Sequence, residues 1–527
     1  MDVWLFADPS RLRALRCPTV RTALQRTLLL VVLPLAGCVV GPNFQKPAAP
    51  DASAYTDHPL TTTVASPDVT GGEAQRFASG KDIPGDWWTL FHSKPLNDLI
   101  EQSLKNNPDL AAAQAALTQA RENVLAQRGA YFPSISAAFS ASRQKTPGSL
   151  APVPSNNAVI YSLFTPEVSV SYTPDVFGLN RRTVESLQAQ EQASRFQMIA
   201  ADITLTSNVV AAAIQEASLQ AQVDATHELL AINTKMVQTL QYQFSKGYAS
   251  RLDLAAQQSQ LAQVTATLPP LAKQLAQQHD LLAVLAGRYP NQIPAEKFEL
   301  SSLQLPTDLP VSLPSALVAQ RPDVLQAEAN LRAANAQVGV AIANRLPNIQ
   351  LTAEAGNTAL AIGHVFGPGT SFWSLGADLA APIFDGGKLL HTERAAKAAY
   401  LQAAEQYRST VLTAFQNVAD TLVALEQDAE GLKAAAAAAD AAKVTLDLSQ
   451  RQTQSGYASE LALLSAEQAY QQTQISLVQA QVSRYADTAA LFQALGGGWW
   501  QRTDLNDTNL KPAAQKQADT TPVDSTQ

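Results

Sequence analysis

Six histidines (His58, His92, His227, His279, His364 and His391) and two cysteines are the side chains best suited to metal or nucleophilic chemistry in this 527-residue chain. No histidine stands in a His-Glu-x-x-His pair, and none is matched to cysteines at zinc-ligand spacing. No Gly-x-Ser-x-Gly elbow presents a serine nucleophile. The run "FDGGK" (Phe384 to Lys388) sets glycines before a helix, but it lacks the spacing of a phosphate-binding loop. A strand-to-helix corner needs such glycines anyway. These patterns argue against an enzyme and call for no cofactor or metal. Charged residues make up 16% and the formal net charge is −8, so there is no basic footprint for nucleic acid.

One cysteine does have a chemical setting. Arg11, Arg13, Arg16, Arg21 and Arg26 precede the apolar run "LLLVVLPL" (Leu28 to Leu35), and "LAGC" ends at Cys38. A basic region, a short apolar core and small residues before a cut describe an export signal. The core is too short to span a bilayer, which takes about 20 apolar residues. Leu35-Ala36-Gly37-Cys38 resembles a bacterial lipobox. That resemblance implies removal of residues 1–37 and a mature chain beginning at Cys38, which carries a diacylglycerol and an N-acyl chain. Val39, rather than Asp, follows the cysteine, which points to outer-membrane sorting. Cys17 lies in the removed part, so the mature chain is expected to form no internal disulfide.

The elements that must position anything else come twice. Gly-Tyr-Ala-Ser occurs at Gly247–Ser250 and again at Gly456–Ser459. "NNPDLAAAQAAL" from Asn106 is echoed by "QRPDVLQAEANL" from Gln320, "AYFPSI" from Ala130 by "NRLPNI" from Asn344, and "PDVFGLNR" from Pro174 by "PIFDGGK" from Pro382. Recurrence of landmarks in one order marks an internal duplication. Each copy reads helix, strand, strand, long helix, turn, helix. Strand alternation is clear in "SISAAFSAS" (Ser134 to Ser142), "VSVSYT" (Val168 to Thr173), Ile349 to Ala355 and Trp373 to Leu379. Proline-free runs predict helices from Asn180 to Lys246 and from Lys388 to Ser455, each about 100 Å long at roughly 1.5 Å per residue. Val184, Leu187, Ile199, Ile203, Val210, Ile214, Leu229, Met236, Leu240 and Phe244 supply an apolar seam for the first. Gly247 and Gly456 then end the long helices, and Ser250 and Ser459 cap the returning ones, with Asp253 in a first turn.

Four strands are too few for a membrane barrel, because bacterial ones begin at about eight. Three copies would supply twelve. The expected fold is thus an α+β membrane protein: a duplicated helix-strand-strand-helix-helix unit, three copies of which close a twelve-stranded β-barrel continued by a long α-helical barrel.

With these features the chain resembles the TolC family of outer-membrane efflux ducts, in its NodT-type lipoprotein branch that serves resistance-nodulation-division systems. The resemblance is carried by the lipobox, "VGPNFQKP" (Val40 to Pro47), "WWTLFHSKPLNDLI" (Trp87 to Ile100), the paired Pro-Asp helices, "PIFDGGK" and "ALGGGWW". It implies a passive homotrimeric duct for small molecules in the Gram-negative outer membrane. The duct would extend into the periplasm and be joined by a periplasmic adaptor to an inner-membrane pump. It implies an adaptor contact at Gly247, Tyr248, Ala249, Ser250, Gly456, Tyr457, Ala458 and Ser459, and a periplasmic gate at Leu461 and Leu464 with Asp253. Many relatives place aspartates six and nine residues after the second tip glycine; here those positions are Ala462 and Ser465. The expected organisation is signal peptide 1–37, extended segment 38–86, efflux repeats 87–300 and 301–500, and a disordered tail 501–527. A lipid-anchored periplasmic coiled-coil scaffold without channel activity is the rival reading, and it leaves the four alternating strands unexplained.

Overall fold

The computed structural model describes residues 39–146 (apart from 49, 51, 53 and 59), 159–292 and 298–506. Cys38 and the signal region lie outside the described residues, as does the tail beyond Asn506. Helices α1 (Lys94–Asn106) and α2 (Pro108–Arg128) lead into strands β2 (Ser134–Thr146) and β3 (Val159–Tyr172). Then come α3 (Leu179–Ser245) and α4 (Arg251–Leu285). The second half repeats this order with α5 (Pro314–Gln320), α6 (Pro322–Ala343), β5 (Asn348–Asn357), β6 (Ser371–Ala380), α7 (Lys388–Gln454) and α8 (Glu460–Ala494). Both long helices have 67 residues and both returning helices have 35. Two short strands, β1 (Arg76–Ser79) and β4 (Asp308–Val311), pair in parallel, and a last turn, α9 (Thr503–Asn506), closes the described chain.

In space the chain forms two compact units that cut across the sequence halves. The first contains Leu125–Ser186 and Asn335–Ala398 with the described part of Met1–Phe44. Its sheet has the order β2-β3-β5-β6, all antiparallel. The register puts Ile135, Val170, Ala353 and Leu375 on one rung, and Ser136, Ser169, Glu354 and Ser374 on the next. Rung by rung, one face is therefore apolar and the other polar. Ile135, Phe139, Trp373, Leu375 and Leu379 stand exposed on the apolar face. β3 is longer than its alternation suggests because Pro166 interrupts the pattern within it. The corners after β3 and β6 are capped by carboxylates. Asp175 accepts from the Asn180 and Arg181 amides at 3.0 and 2.7 Å, and Asp385 accepts from Gly387 and Leu389 at 2.9 and 2.8 Å. "FDGGK" is thus the start of a helix.

The second unit contains Gln45–Val124, Leu187–Ala334 and Ala399–Gln527. Of the apolar seam read for α3, Ile199, Ile203, Val210, Ile214, Leu229 and Leu240 are buried in this unit, while Phe244 near the tip is exposed. Trp87 stacks near Phe492 (5.3 Å between ring centroids), and the Tyr485 hydroxyl donates to Leu303 O at 2.9 Å. The N-terminal segment is not a loose one. Gln75 is fully buried, and its amide donates to Pro306 O and Thr488 Oγ1 at 3.0 and 2.9 Å. Arg484, also fully buried, donates to Leu425 O and Glu73 O at 3.1 and 3.0 Å. Buried donors require such acceptors, so the segment is held as core. The start of the tail is held too: Arg502 reaches the buried Asp202 at 2.6 Å.

Beside Arg484, Asp428 of α7 faces Asp487 of α8. Burial first, then the hydrogen bond and repulsion from Asp487, push the Asp428 carboxyl up to about 7. Between the ordinary carboxylate range and about pH 7, the folded chain keeps a proton that the unfolded chain has released. Stability therefore falls as pH rises through that window. Asp428→Asn should raise the melting temperature by a few degrees at pH 8 and leave it unchanged at pH 4. Melting curves with the same pH dependence in both proteins would refute this.

Candidate functional site: the hairpin tips

Each long helix ends in the same way because the sequence repeats Gly-Tyr-Ala-Ser at both ends. At the first tip, Tyr248 N donates to Gln243 O at 2.9 Å and Gly247 N to Phe244 O at 3.0 Å. At the second, Tyr457 N donates to Gln452 O at 2.8 Å and Gly456 N to Thr453 O at 3.0 Å. These paired bonds form the Schellman motif, which needs a left-handed residue at its centre. Gly247 and Gly456 supply it with φ of +73° and +76°. Nothing lies within 4 Å of where a Cβ would stand at either glycine, so backbone geometry alone demands the residue type.

The returning helices begin differently. Ser250 Oγ accepts from Asp253 N at 3.1 Å, and Asp253 Oδ2 accepts from Ser250 N at 3.2 Å and from Ser250 Oγ at 2.6 Å. That is a complete capping box. Ser459 Oγ accepts from Ala462 N at 3.3 Å, but Ala462 has no carboxylate to return the bond. Asp253, expected as a gate residue, is thus engaged by its own cap. Ala462 occupies the matching position in the second hairpin.

The turn side chains project outward. Tyr248 is 84% exposed, Tyr457 88% and Leu252 78%, while Ala249 and Ala458 are half-buried. Lys246 Nζ lies 5.6 Å from the Tyr242 ring centroid, a cation held over an aromatic face. Of the gate residues, Leu464 is half-buried, whereas the side chain of Leu461 lies outside the described residues. The packing that sequence reasoning missed is its neighbour's. Leu463, 1% exposed, joins Leu446 and Ala466 in a small core against Met236 and Tyr470. A polar layer accompanies it. Gln257 Nε2 donates to Asn233 Oδ1 at 2.9 Å and approaches Glu467 Oε2 at 3.4 Å, and Gln468 Nε2 donates to Gln260 Oε1 at 3.1 Å. Helices α3, α4, α7 and α8 are joined there. The only sequence signal was glutamine at i, i+3 (Gln257 and Gln260), which composition alone does not separate from solvated glutamine. Among the described residues no cluster of His, Cys, Asp and Glu could hold a metal ion.

The two caps can be compared directly. Asp253→Ala should speed amide exchange in the first turn of α4 by removing the return half of the box, an effect below the roughly 1 kcal/mol of a whole lost cap. Ala462→Asp should slow exchange at the start of α8 by completing the second box. Equal exchange at both turns in the parent chain would count against this account.

The matches to known proteins follow this architecture. The family profile described as outer membrane efflux protein matches residues 99–288 and 313–497. The chain is 31% identical over 482 residues to the probable efflux pump outer membrane protein TtgC of Pseudomonas putida, covering 90% of this chain and 96% of that one. It is 28% identical over 475 residues to outer membrane protein OprJ of Pseudomonas aeruginosa, covering 89% and 95%. The solved outer-membrane channel OprN superposes with a TM-score of 0.77 at 26% identity, over 88% of this chain and all of that one. The chain belongs to the outer membrane efflux protein family and is an outer-membrane channel component of an efflux system, a transporter rather than an enzyme.

Proposed function

We propose that three copies of the chain close a twelve-stranded barrel and that the helices continue it as a periplasmic duct. The observation that carries this reading is the open sheet. β2 and β6 are its unpaired edges, and its apolar face is fit for lipid. Strands of 13, 14, 10 and 10 residues reach or exceed the roughly 9–11 needed to cross a bilayer. Edges exposed to hydrocarbon are not viable, so β2 of one copy pairs with β6 of the next. A heat-resistant trimer in outer-membrane extracts is expected, and a stable monomer there would refute the closure.

Cys38 carries the lipid anchor, and a periplasmic adaptor docks at the two tips and links the duct to an inner-membrane pump. The relatives' names include antibiotic, toluene and pyoverdine export. Such breadth at 29–31% identity fits a duct whose cargo is chosen by its pump. Exposed Tyr248 and Tyr457 suit an interface, where aromatic anchors are favoured. Gly247→Asp or Gly456→Asp forces a side chain into the left-handed position and adds a charge at the contact. Normal trimers with lost efflux and lost adaptor crosslinking are expected; full efflux in both variants would refute the docking role.

Leu461, repeated around the three-fold axis, closes the mouth by apolar constriction. With Ala462 and Ser465 in place of acids, the mouth lacks a dense carboxylate ring. In planar bilayers, Leu461→Ala should raise conductance, and millimolar divalent cations should block the parent channel weakly. Strong block abolished by Glu460→Gln would assign the gate to Glu460 instead.

A further inference from the structure

The stretch just after Cys38 is bound to the sheet-bearing unit with unusual completeness. Arg182, buried at the start of α3, donates through Nε to Val40 O at 3.0 Å, and through Nη2 to Gly41 O at 3.1 Å and Asn43 Oδ1 at 2.9 Å. Its Nη1 is held by Glu185 at 2.7 Å. Asn335 Nδ2 donates to Pro42 O at 3.0 Å. Gly41 lies so close to α6 that a Cβ there would stand 2.5 Å from Gly339 Cα. Four consecutive residues are therefore fixed mainly through their backbone, by partners that a solvated linker would not need.

This strap delivers its N-terminal end to one place. Val40 N donates to Phe177 O at 3.3 Å, and a Cβ on Gly178 would lie 3.1 Å from Val39 Cγ1. Phe177 and Leu179, on either side of Gly178, line a cavity of about 390 Å³ at the corner between β3 and α3. Leu346, Pro347 and Ile349 form the opposite wall. The walls combine these apolar side chains with polar ones, among them Gln127, Asp175 and Asn180. Asn180 is fixed on its wall, with its Oδ1 accepting from Gln127 Nε2 at 2.6 Å. A hydrocarbon chain packs on the apolar part of such walls, and the polar part suits the ester or amide carbonyls that join it to a cysteine.

We infer that the corner cavity seats one acyl chain of the lipid on Cys38, with Arg182 as the positioning residue that holds the strap in place. The inference rests on the lipid-anchor reading above. Tyr172, on the apolar rungs, ends β3 five residues before Phe177, so the seat lies where the lipid-facing surface stops. Seated there, the lipid becomes part of the fold.

The test uses the full-length chain in native outer membranes, with a photoreactive phenylalanine in place of Leu346 and, as control, in place of Leu375 on the apolar sheet face. Mass spectrometry after illumination should find position 346 joined to the acyl group of the Cys38 peptide, and position 375 joined to phospholipid. Arg182→Ala should abolish the first product while Cys38 stays lipidated. Ala130→Trp, which fills the cavity and leaves the strap intact, should do the same and guards against misfolding of the arginine variant. A lipidated Cys38 with position 346 joined only to phospholipid, or to a neighbouring copy, overturns the seat alone. An unmodified Cys38 peptide overturns the lipid anchor together with it.

Discussion

A backbone amide in hydrocarbon has no water to bond, so every strand in a bilayer must have neighbours on both sides. A sheet ordered β2-β3-β5-β6 leaves one edge open on β2 and another on β6. Much else follows from that deficit. Under the proposed closure it sets the need for copies and makes the shared edge heterologous, which closes rings rather than two-fold dimers. It also accounts for an apolar sheet face left exposed, the reverse of a soluble sheet packed on its own core. Ile135, Phe139 and Trp373 are exposed in a single chain, and the proposed barrel gives them lipid rather than protein as their cover.

The tips face a different constraint. A helix of 67 residues must stop cleanly and reverse without a core around it. Both hairpins solve this with the same paired bonds from Tyr and Gly amides to the last turn, so the turn is held by local chemistry. That frees Tyr248 and Tyr457 to stand in solvent. Lateral cohesion comes instead from Leu463, Leu446 and Ala466 and from the Gln257–Asn233 bond further in. Turn formation and helix-to-helix cohesion are thus assigned to different residues.

Much of this was legible in sequence because proline and glycine punctuate it. The read boundaries Asn180 to Lys246 and Lys388 to Ser455 lie within one residue of the observed helices. Alternation located all four long strands but lost the first half of β3, where Pro166 breaks the period. The β1–β4 pair escaped notice, since four residues are too few to show a period and its partners are over 200 residues apart. The roles of Gln75 and Arg484 were equally hidden. A polar residue buried among distant backbone carbonyls leaves no pattern in its own neighbourhood. The strap's "VGPNF" was visible as a motif, but its reason, the bonds from Arg182, lies about 140 residues away.

The two halves share an element order without sharing a mechanical character. Only the first returning helix has the full capping box, and only it carries Pro269 and Pro270 in its interior; Val478 and Gln479 stand at the matching places in α8. Two missing amides deprive the Thr265 and Ala266 carbonyls of helical partners. Thr265, Ala266 and both prolines are exposed, so water can satisfy the freed oxygens and the helix continues to Leu285. α4 is therefore firm at its tip and softened in its middle. α8 has the weaker cap and a tip-proximal core built on Leu463. The prolines remove two helical bonds from the first hairpin, while the packing of Met236 on Leu446 and Leu463 ties both hairpins together near their turns. Two hairpins of equal length and order thus differ in local bonding: the first has the full cap and two interior prolines, the second has Ala462 at the cap and an unbroken helix.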